Sequence, residues 1–134
     1  MHVQTSDQAS LRLGIGDYCC NWGTHLCGLY ETPAERDEML YGFLHEGLRS
    51  DDLLAFVVSP DRRTEFVSTW NRRFSSDPQV AAGALPQLLS PHDLYFPDGA
   101  FSPWAMEQGL AGFYETSQRD GRRCIRSGAV VKPA

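Results

Sequence analysis

The apolar run Leu53-Leu54-Ala55-Phe56-Val57-Val58 decides the fold of this chain. It has no polar residue in alternation, as expected for a strand that is covered on both faces of a parallel sheet. Ser59-Pro60-Asp61 follows directly, and a capping residue before a proline is typical of a helix start. Apolar residues at helical spacing then predict an amphipathic helix with the stripe Phe66, Val67, Trp70 and Phe74.

The segment before this run shows the same order of strand and helix. Residues 24–30 are a short apolar run, which we predict as the first strand. Thr32-Pro33-Ala34-Glu35 then combines a cap, a proline and a capping-box glutamate. We predict a helix from there to about His45, ended by Gly47, with one stripe on the sheet formed by Met39, Leu40, Phe43 and Leu44.

The pattern continues towards the C-terminus. Residues 85–89 predict a third strand, which Pro86 weakens or moves to a sheet edge. Ser102-Pro103 predicts a third helix start, after a turn at residues 97–99. The stripe of this helix would be Met106, Leu110, Phe113 and Tyr114, and a last strand would run from Arg123 to Val131.

Alternating strands and helices predict an α/β fold: a small three-layer domain with a mostly parallel sheet of about four or five strands and helices on its faces. We expect residues 19–134 to form a single domain that is shortened at its C-terminus. Residues 1–18 would be a flexible or wrapping arm, with a turn at Gly14-Ile15-Gly16-Asp17. An uncovered sheet edge would favour a homodimer or a protein partner.

Composition excludes several classes of protein. The 134 residues are 42% hydrophobic and 22% charged, which is typical of one globular domain. The net charge of −5 disfavours nucleic acid as a partner, and the arginines at 62–63, 72–73 and 119–126 are interpreted as solvated helix faces. No apolar run approaches the ~20 residues of a membrane span, and the polar N-terminus lacks a secretory signal. We therefore expect a cytoplasmic location and reduced cysteines.

Ligands of open α/β sheets usually bind at the carboxyl ends of the strands. The residues predicted there are Tyr30, Glu31 and Thr32, then Ser59 and Asp61, then Tyr95, Asp98 and Ser102. Aromatic walls with a few polar groups suit a small-molecule pocket. Helix capping alone, however, also explains Thr32, Ser59 and Ser102. Neither GxxxxGK[ST] nor GxGxxG follows a strand, so classical ATP or NAD binding is not expected and we predict no cofactor.

Two other chemistries remain open. Cys19, Cys20, His25 and Cys27 are of the type that binds thiophilic metals, but adjacent cysteines do not match the usual spacing, and buried inert thiols are the favoured interpretation. A small enzyme could use His25 or Tyr95 as acid or base, with Cys27 or Glu31 nearby.

Two motifs are misleading. His45-Glu46-Gly47-Leu48-Arg49 lacks the second histidine of HExxH, and Ser90-Pro91-His92-Asp93 predicts a turn rather than a catalytic triad.

The segments Trp22-Gly23-Thr24-His25-Leu26-Cys27 through Thr32, Phe43 to Leu48, Leu54 to Val58 and Tyr95 to Pro103 occur in an order that resembles the MEDS domain family. These sensory domains of methanogens and methylotrophs are named partly for a dichloromethane-responsive repressor. The resemblance spans roughly residues 20–128. It implies a RecA-like fold without a phosphate loop, and a role in sensing small hydrocarbon derivatives.

Carried over by position, the resemblance implies that His25 and Tyr30 face the ligand, followed by Glu46, Tyr95 and Asp98; the strand-end argument adds Glu31. A scaffold that lacks its anion cradle is expected to bind an uncharged small molecule. We therefore predict a non-catalytic, small-molecule-binding sensory or regulatory domain. It would act through a partner in transcription or signalling, with no bound metal and no direct contact with nucleic acid or membrane.

Overall fold

The computed structural model describes residues 10–21, 23–122 and 124–130, and these residues fall into two compact units divided after Ser50. The predictions for residues 1–9, Trp22, Arg123 and Val131 lie outside the described residues. The predicted division into an arm at residues 1–18 and one domain at 19–134 stays a prediction.

The first unit begins with a β-hairpin. Strand β1, Ser10–Arg12, pairs antiparallel with β2, Cys19–Asn21, with Leu11 opposite Cys20. The turn between them lies where the sequence predicted it, and Gly14 and Gly16 have φ of +79° and +54°. Positive φ is inexpensive only for glycine, so these two residues permit the reversal.

The prediction of a strand at residues 24–30 is wrong. The segment has no regular secondary structure and its residues are exposed, including Leu29 at 87%. Thr24 is its only β-branched residue, and Gly28 interrupts it, so its strand signal rested mainly on hydrophobicity. His25 therefore does not begin a strand.

Helix α1, Pro33–Arg49, starts as predicted and ends later than predicted. The Thr32 hydroxyl accepts a hydrogen bond from the Glu35 amide at 3.2 Å, and the Glu35 carboxylate accepts one from the Glu31 amide at 2.9 Å. Gly47 does not end the helix; it is a buried residue within it. A helical glycine costs only about 1 kcal/mol, which burial of the surrounding face outweighs.

The second unit is built on a three-stranded parallel sheet, and the predicted α/β fold is confirmed. Its strands are β3, Leu53–Val57, β4, Gln87–Leu89, and β5, Ile125–Ala129, in the order β4-β3-β5. In the described residues the parallel strands number three, fewer than the predicted four or five, because residues 24–30 do not pair. As predicted, the strand after Pro86 lies at a sheet edge.

Helix α2, Arg63–Arg73, carries the predicted aromatic stripe and follows a 3-10 turn at Pro60–Arg62. The ring centroids of Phe56 and Phe66 are 4.7 Å apart, and those of Trp70 and Phe74 are 5.0 Å apart. Trp70 is fully buried, and its indole N–H donates to the Ala84 carbonyl at 3.0 Å. This helix thus covers the sheet face to which Phe56 belongs. A short helical turn, α3, Pro78–Ala81, follows.

Helix α4, Pro91–Tyr95, begins within the motif predicted as a turn, and α5, Pro103–Arg119, starts at the predicted cap. The predicted stripe of α5 is partly wrong, because Leu110 and Tyr114 are 48% and 60% exposed whereas Ser117 is fully buried. The face that packs includes Gly109 and Ser117. Hydrophobicity misses this face because its residues are small.

Two ion pairs join the segments that begin β3 and β5. Arg126 Nε donates to Asp52 Oδ2 at 3.0 Å, with side-chain exposures of 4% and 0%, and Arg122 pairs with Asp51. The interpretation of residues 119–126 as a solvated helix face is therefore wrong for Arg126, because a β-strand alternates its side chains and points this one inward.

None of the helices within the described residues is long and apolar enough to cross a membrane.

Candidate functional site

The candidate site lies where β3 and β4 end. The connections β3–α2–β4 and β4–α5–β5 cross the sheet in opposite directions, so right-handed crossovers place α2 and α5 on opposite faces. The chain leaving β3 and the chain leaving β4 therefore turn to opposite faces of the sheet and leave a crevice between them, at the carboxyl ends of the strands where ligands of open α/β sheets usually bind. Backbone pairing continues to its rim, since the Val58 amide donates to the Leu89 carbonyl at 2.8 Å.

A cavity of about 410 Å³ opens at this crevice and along the β4 edge. Its volume falls in the range of about 300–1,000 Å³ that is typical of small-molecule sites. Its wall combines strand β4, the two helices that follow it and the start of α2. The lining residues are Arg63, Gln87, Leu88, Leu89, Ser90, Asp93, Leu94, Gly109, Gly112, Phe113 and Thr116. We call this cavity the crevice cavity.

Two glycines of α5 shape the crevice cavity in different ways. A Cβ built on Gly109 would lie 2.6 Å from Leu94 Cδ1, so a larger residue there would displace the Leu94 side chain. A Cβ built on Gly112 would meet no atom of the described residues within 4 Å, so this position faces open space among them. Gly109, Gly112, Phe113 and Thr116 share one helix face at i, i+3, i+4 and i+7 spacing.

Arg63 is the positively charged residue on the cavity wall, at the first position of α2. Its Nε is buried and has no hydrogen-bond partner among the described residues. A buried unsatisfied donor costs about 1–3 kcal/mol or more when charged. Arg63 is half-buried, so the predicted solvated helix face is only partly exposed at position 63.

The other polar side chains of the cavity wall mostly form hydrogen bonds within the protein or are exposed to solvent. Ser90 is buried and its hydroxyl accepts a hydrogen bond from the His92 amide at 3.1 Å, which caps α4. The Thr116 hydroxyl donates to the Gly112 carbonyl at 2.9 Å. Asp93 is an exposed carboxylate in the first turn of α4. Arg63 is thus the wall group most in need of a partner.

An aromatic segment, residues 95–104, runs from the last residue of α4 to the second residue of α5, and we call it the aromatic loop. The Tyr95 and Phe96 rings are 6.3 Å apart, and Phe101 lies 6.1 Å from Phe96. A backbone hydrogen bond of 2.8 Å from the Ser102 amide to the Tyr95 carbonyl closes the loop. Phe101 and Trp104 are 55% and 70% exposed. The predicted site residues Tyr95 and Asp98 both belong to this loop, and Asp98 is exposed at its turn.

The remaining predicted site residues belong to the first unit. His25 and Tyr30 lie in the exposed irregular segment before α1. The Glu31 side chain is exposed, and its backbone amide is held by the Glu35 carboxylate. Glu46 is different, because it is buried in α1, where its carboxylate lies 3.5 Å from Arg12 Nε and 3.4 Å from the Ser50 hydroxyl.

The cysteines do not form a metal centre in the described part of the chain, where no group of three or more His, Cys, Asp or Glu side chains could hold an ion. Cys19, Cys20, Cys27 and Cys124 carry thiols. The described structure does not bring Cys19, Cys20, His25 and Cys27 together as one set of ligands.

Sequence reasoning missed the lining residues for a definite reason. It applied the strand-end rule to Ser59 and Asp61 but stopped two residues before Arg63. It also assigned residues 90–93 only to a turn. The glycine pair at 109 and 112 in a helix interior was the available signal, since glycine there is unfavourable without a packing or spatial reason.

Comparison with known proteins gives one match. No curated protein and no solved structure matches the chain. A family model described as the methanogen/methylotroph, DcmR sensory domain matches residues 24–132, which is most of the chain. The chain therefore belongs to the MEDS family of sensory domains.

Proposed function

We propose that this chain is a sensory domain that binds a small molecule in the crevice cavity and passes the signal to a protein partner. The observation that carries the proposal is the cavity itself: about 410 Å³ at the diverging ends of β3 and β4. Membership of a sensory family supports a regulatory role.

Helix α4 offers a route from ligand to partner. It has only five residues, and so short a helix depends on its packing for stability. Leu94 and Asp93 line the cavity, and the chain then enters the aromatic loop. A ligand that packs against α4 would stabilise it and fix the conformation of residues 95–104.

The aromatic loop suits contact with a partner. Aromatic side chains are enriched in protein interfaces, and Phe101 and Trp104 are largely exposed. Tyr95 and Asp98 then act in the response to ligand rather than in first contact with it. Ligand contact by His25, Tyr30, Glu31 and Glu46, and a homodimer through a sheet edge, stay predictions.

The experiment measures ligand binding by the whole chain and by a variant whose cavity is filled. Thermal unfolding is followed with chloroform, 1-hexanol, hexanamide, hexanoate and hexylamine. A ligand present at 100 times its Kd adds about 2.7 kcal/mol to the free energy of unfolding. We expect at least one probe to raise the Tm of the wild type.

Gly112→Val is the test variant, because its side chain would enter open space. We expect this variant to weaken the binding of that probe at least tenfold. The control Ala111→Val, at an exposed neighbour on the same helix, should leave binding unchanged. Absence of any Tm shift, or equal binding by both variants, contradicts the proposal.

A further inference from the structure

We infer that the ligand is a small organic carboxylate with an apolar body, and that its carboxylate pairs with Arg63. This inference rests on the proposed function and names the chemistry of the same cavity.

The first argument is the buried Nε of Arg63. A guanidinium has five N–H donors and accepts no hydrogen bond, so a buried one needs an acceptor. Arg126 shows how this chain meets that need elsewhere, because its Nε lies 3.0 Å from Asp52 Oδ2. Arg63 Nε lacks such a partner among the described residues, yet it belongs to a residue that lines a cavity. Arg63 as a whole is half-buried and lines the cavity, so an acceptor supplied by a ligand would pair with its more accessible N–H groups.

The start of α2 adds to this preference. No side chain caps the helix, and the positive end of its dipole lies at Arg63. The nearest acid in the first turn, Glu65, lies 3.8 Å from Arg62. The positive charge of Arg63 is therefore available to an anion, although the carboxylate of Asp93 shares the cavity wall.

The opposite wall determines the rest of the ligand. Leu88, Leu94 and Phe113 are apolar, and Gly112 leaves room beside them. Burial of an alkyl or aryl group there is favourable in proportion to its apolar area. The ligand is thus amphipathic, with one charged end and one apolar end.

A carboxylate is favoured over a phosphate by the charges around the cavity. Asp93 lies on the wall, and the chain has a net charge of −5. A guanidinium binds either group through two hydrogen bonds, but Asp93 would repel a phosphate dianion more strongly than a carboxylate monoanion. The inference departs from the sequence-based expectation of an uncharged ligand, which did not include Arg63.

The test compares probes that differ only at the polar end. Hexanoate, hexanamide, hexylamine and hexyl phosphate are titrated calorimetrically into the full chain at one ionic strength. We expect hexanoate to bind at least tenfold more tightly than hexanamide and than hexyl phosphate, and hexylamine to bind most weakly. Equal affinity of hexanoate and hexanamide, or preference for hexyl phosphate or the amine, overturns the inference.

Variants then assign the preference to one residue. Arg63→Gln should weaken the binding of hexanoate about 10- to 100-fold, which is the effect of losing a hydrogen bond to a charged group. It should leave the affinity for hexanamide within about twofold of the wild-type value. The matched control is Arg62→Gln, the neighbouring arginine whose partner is Glu65 at 3.8 Å; it should leave both affinities unchanged. Equal losses in the two variants overturn the assignment to Arg63. If Arg63→Gln does not fold, the ranking of probes on the wild type decides.

The outcomes separate the two proposals. If hexanamide and hexanoate bind equally and Gly112→Val abolishes both, the sensory cavity is supported and the carboxylate inference is refuted. If no probe binds, both are refuted.

Discussion

Removal of the Asp52 carboxylate should destabilise the second unit severely. Asp52 is fully buried and Arg126 is 4% exposed, so Asp52→Asn leaves a guanidinium in the interior without its counter-charge. Breaking a buried ion pair at one partner costs about 3–5 kcal/mol. That is a large share of the about 5–15 kcal/mol that holds a typical domain folded.

The assay is urea unfolding followed by circular dichroism. With a slope of about 1–3 kcal/mol per molar urea, we expect the midpoint to fall by at least about 1 M. The control is Asp51→Asn, because Asp51 is the adjacent acid, its side chain is 67% exposed, and it pairs with Arg122. An exposed pair contributes about 0–1 kcal/mol, so this variant should unfold near the wild type.

A double variant tests the cause. Asp52→Leu combined with Arg126→Met removes both charges and should lie within about 1 kcal/mol of the wild type or above it, because apolar replacements avoid the cost of burying charge. The reasoning is refuted if Asp52→Asn costs no more than Asp51→Asn.

Two further predictions concern local structure. Ser102→Ala should lower the free energy of unfolding by about 1 kcal/mol, because the Ser102 hydroxyl accepts a hydrogen bond from the Ala105 amide. Ser59→Ala should change it little, since Ser59 makes no side-chain cap, and equal losses in urea titrations would contradict this. Gly14→Ala should destabilise the hairpin unit by more than about 1 kcal/mol, because Gly14 has a φ of +79° and a Cβ there would collide with the Gly42 carbonyl. A calorimetric Tm within 1 °C of the wild type would count against that close contact.

Much of the second unit was predictable because its signals are local. The run from Leu53 to Val57 is apolar on both faces, and Ser102-Pro103 sets a helix start whatever the tertiary context. The aromatic stripe on α2 needed only helical periodicity. In each case the residues that decide the element lie within it.

What failed depended on contacts between distant residues. Residues 24–30 are apolar but lack a strand partner, and sequence alone does not show whether a partner is near. Arg126 becomes an interior residue only because Asp52, 74 positions away, meets it. The crevice cavity escaped notice for the same reason, since its wall joins Arg63 to residues 87–116 through the fold.

The strand order β4-β3-β5 also bears on synthesis. The central strand leaves the ribosome first, and its longer partner, β5, follows some seventy residues later. Until then the edge of the nascent β3 that later pairs with β5 has unpaired backbone hydrogen-bonding groups. Pairing between strands so far apart in sequence forms slowly. A chaperone that shields residues 53–57 during translation would therefore matter more for yield than for the finished molecule.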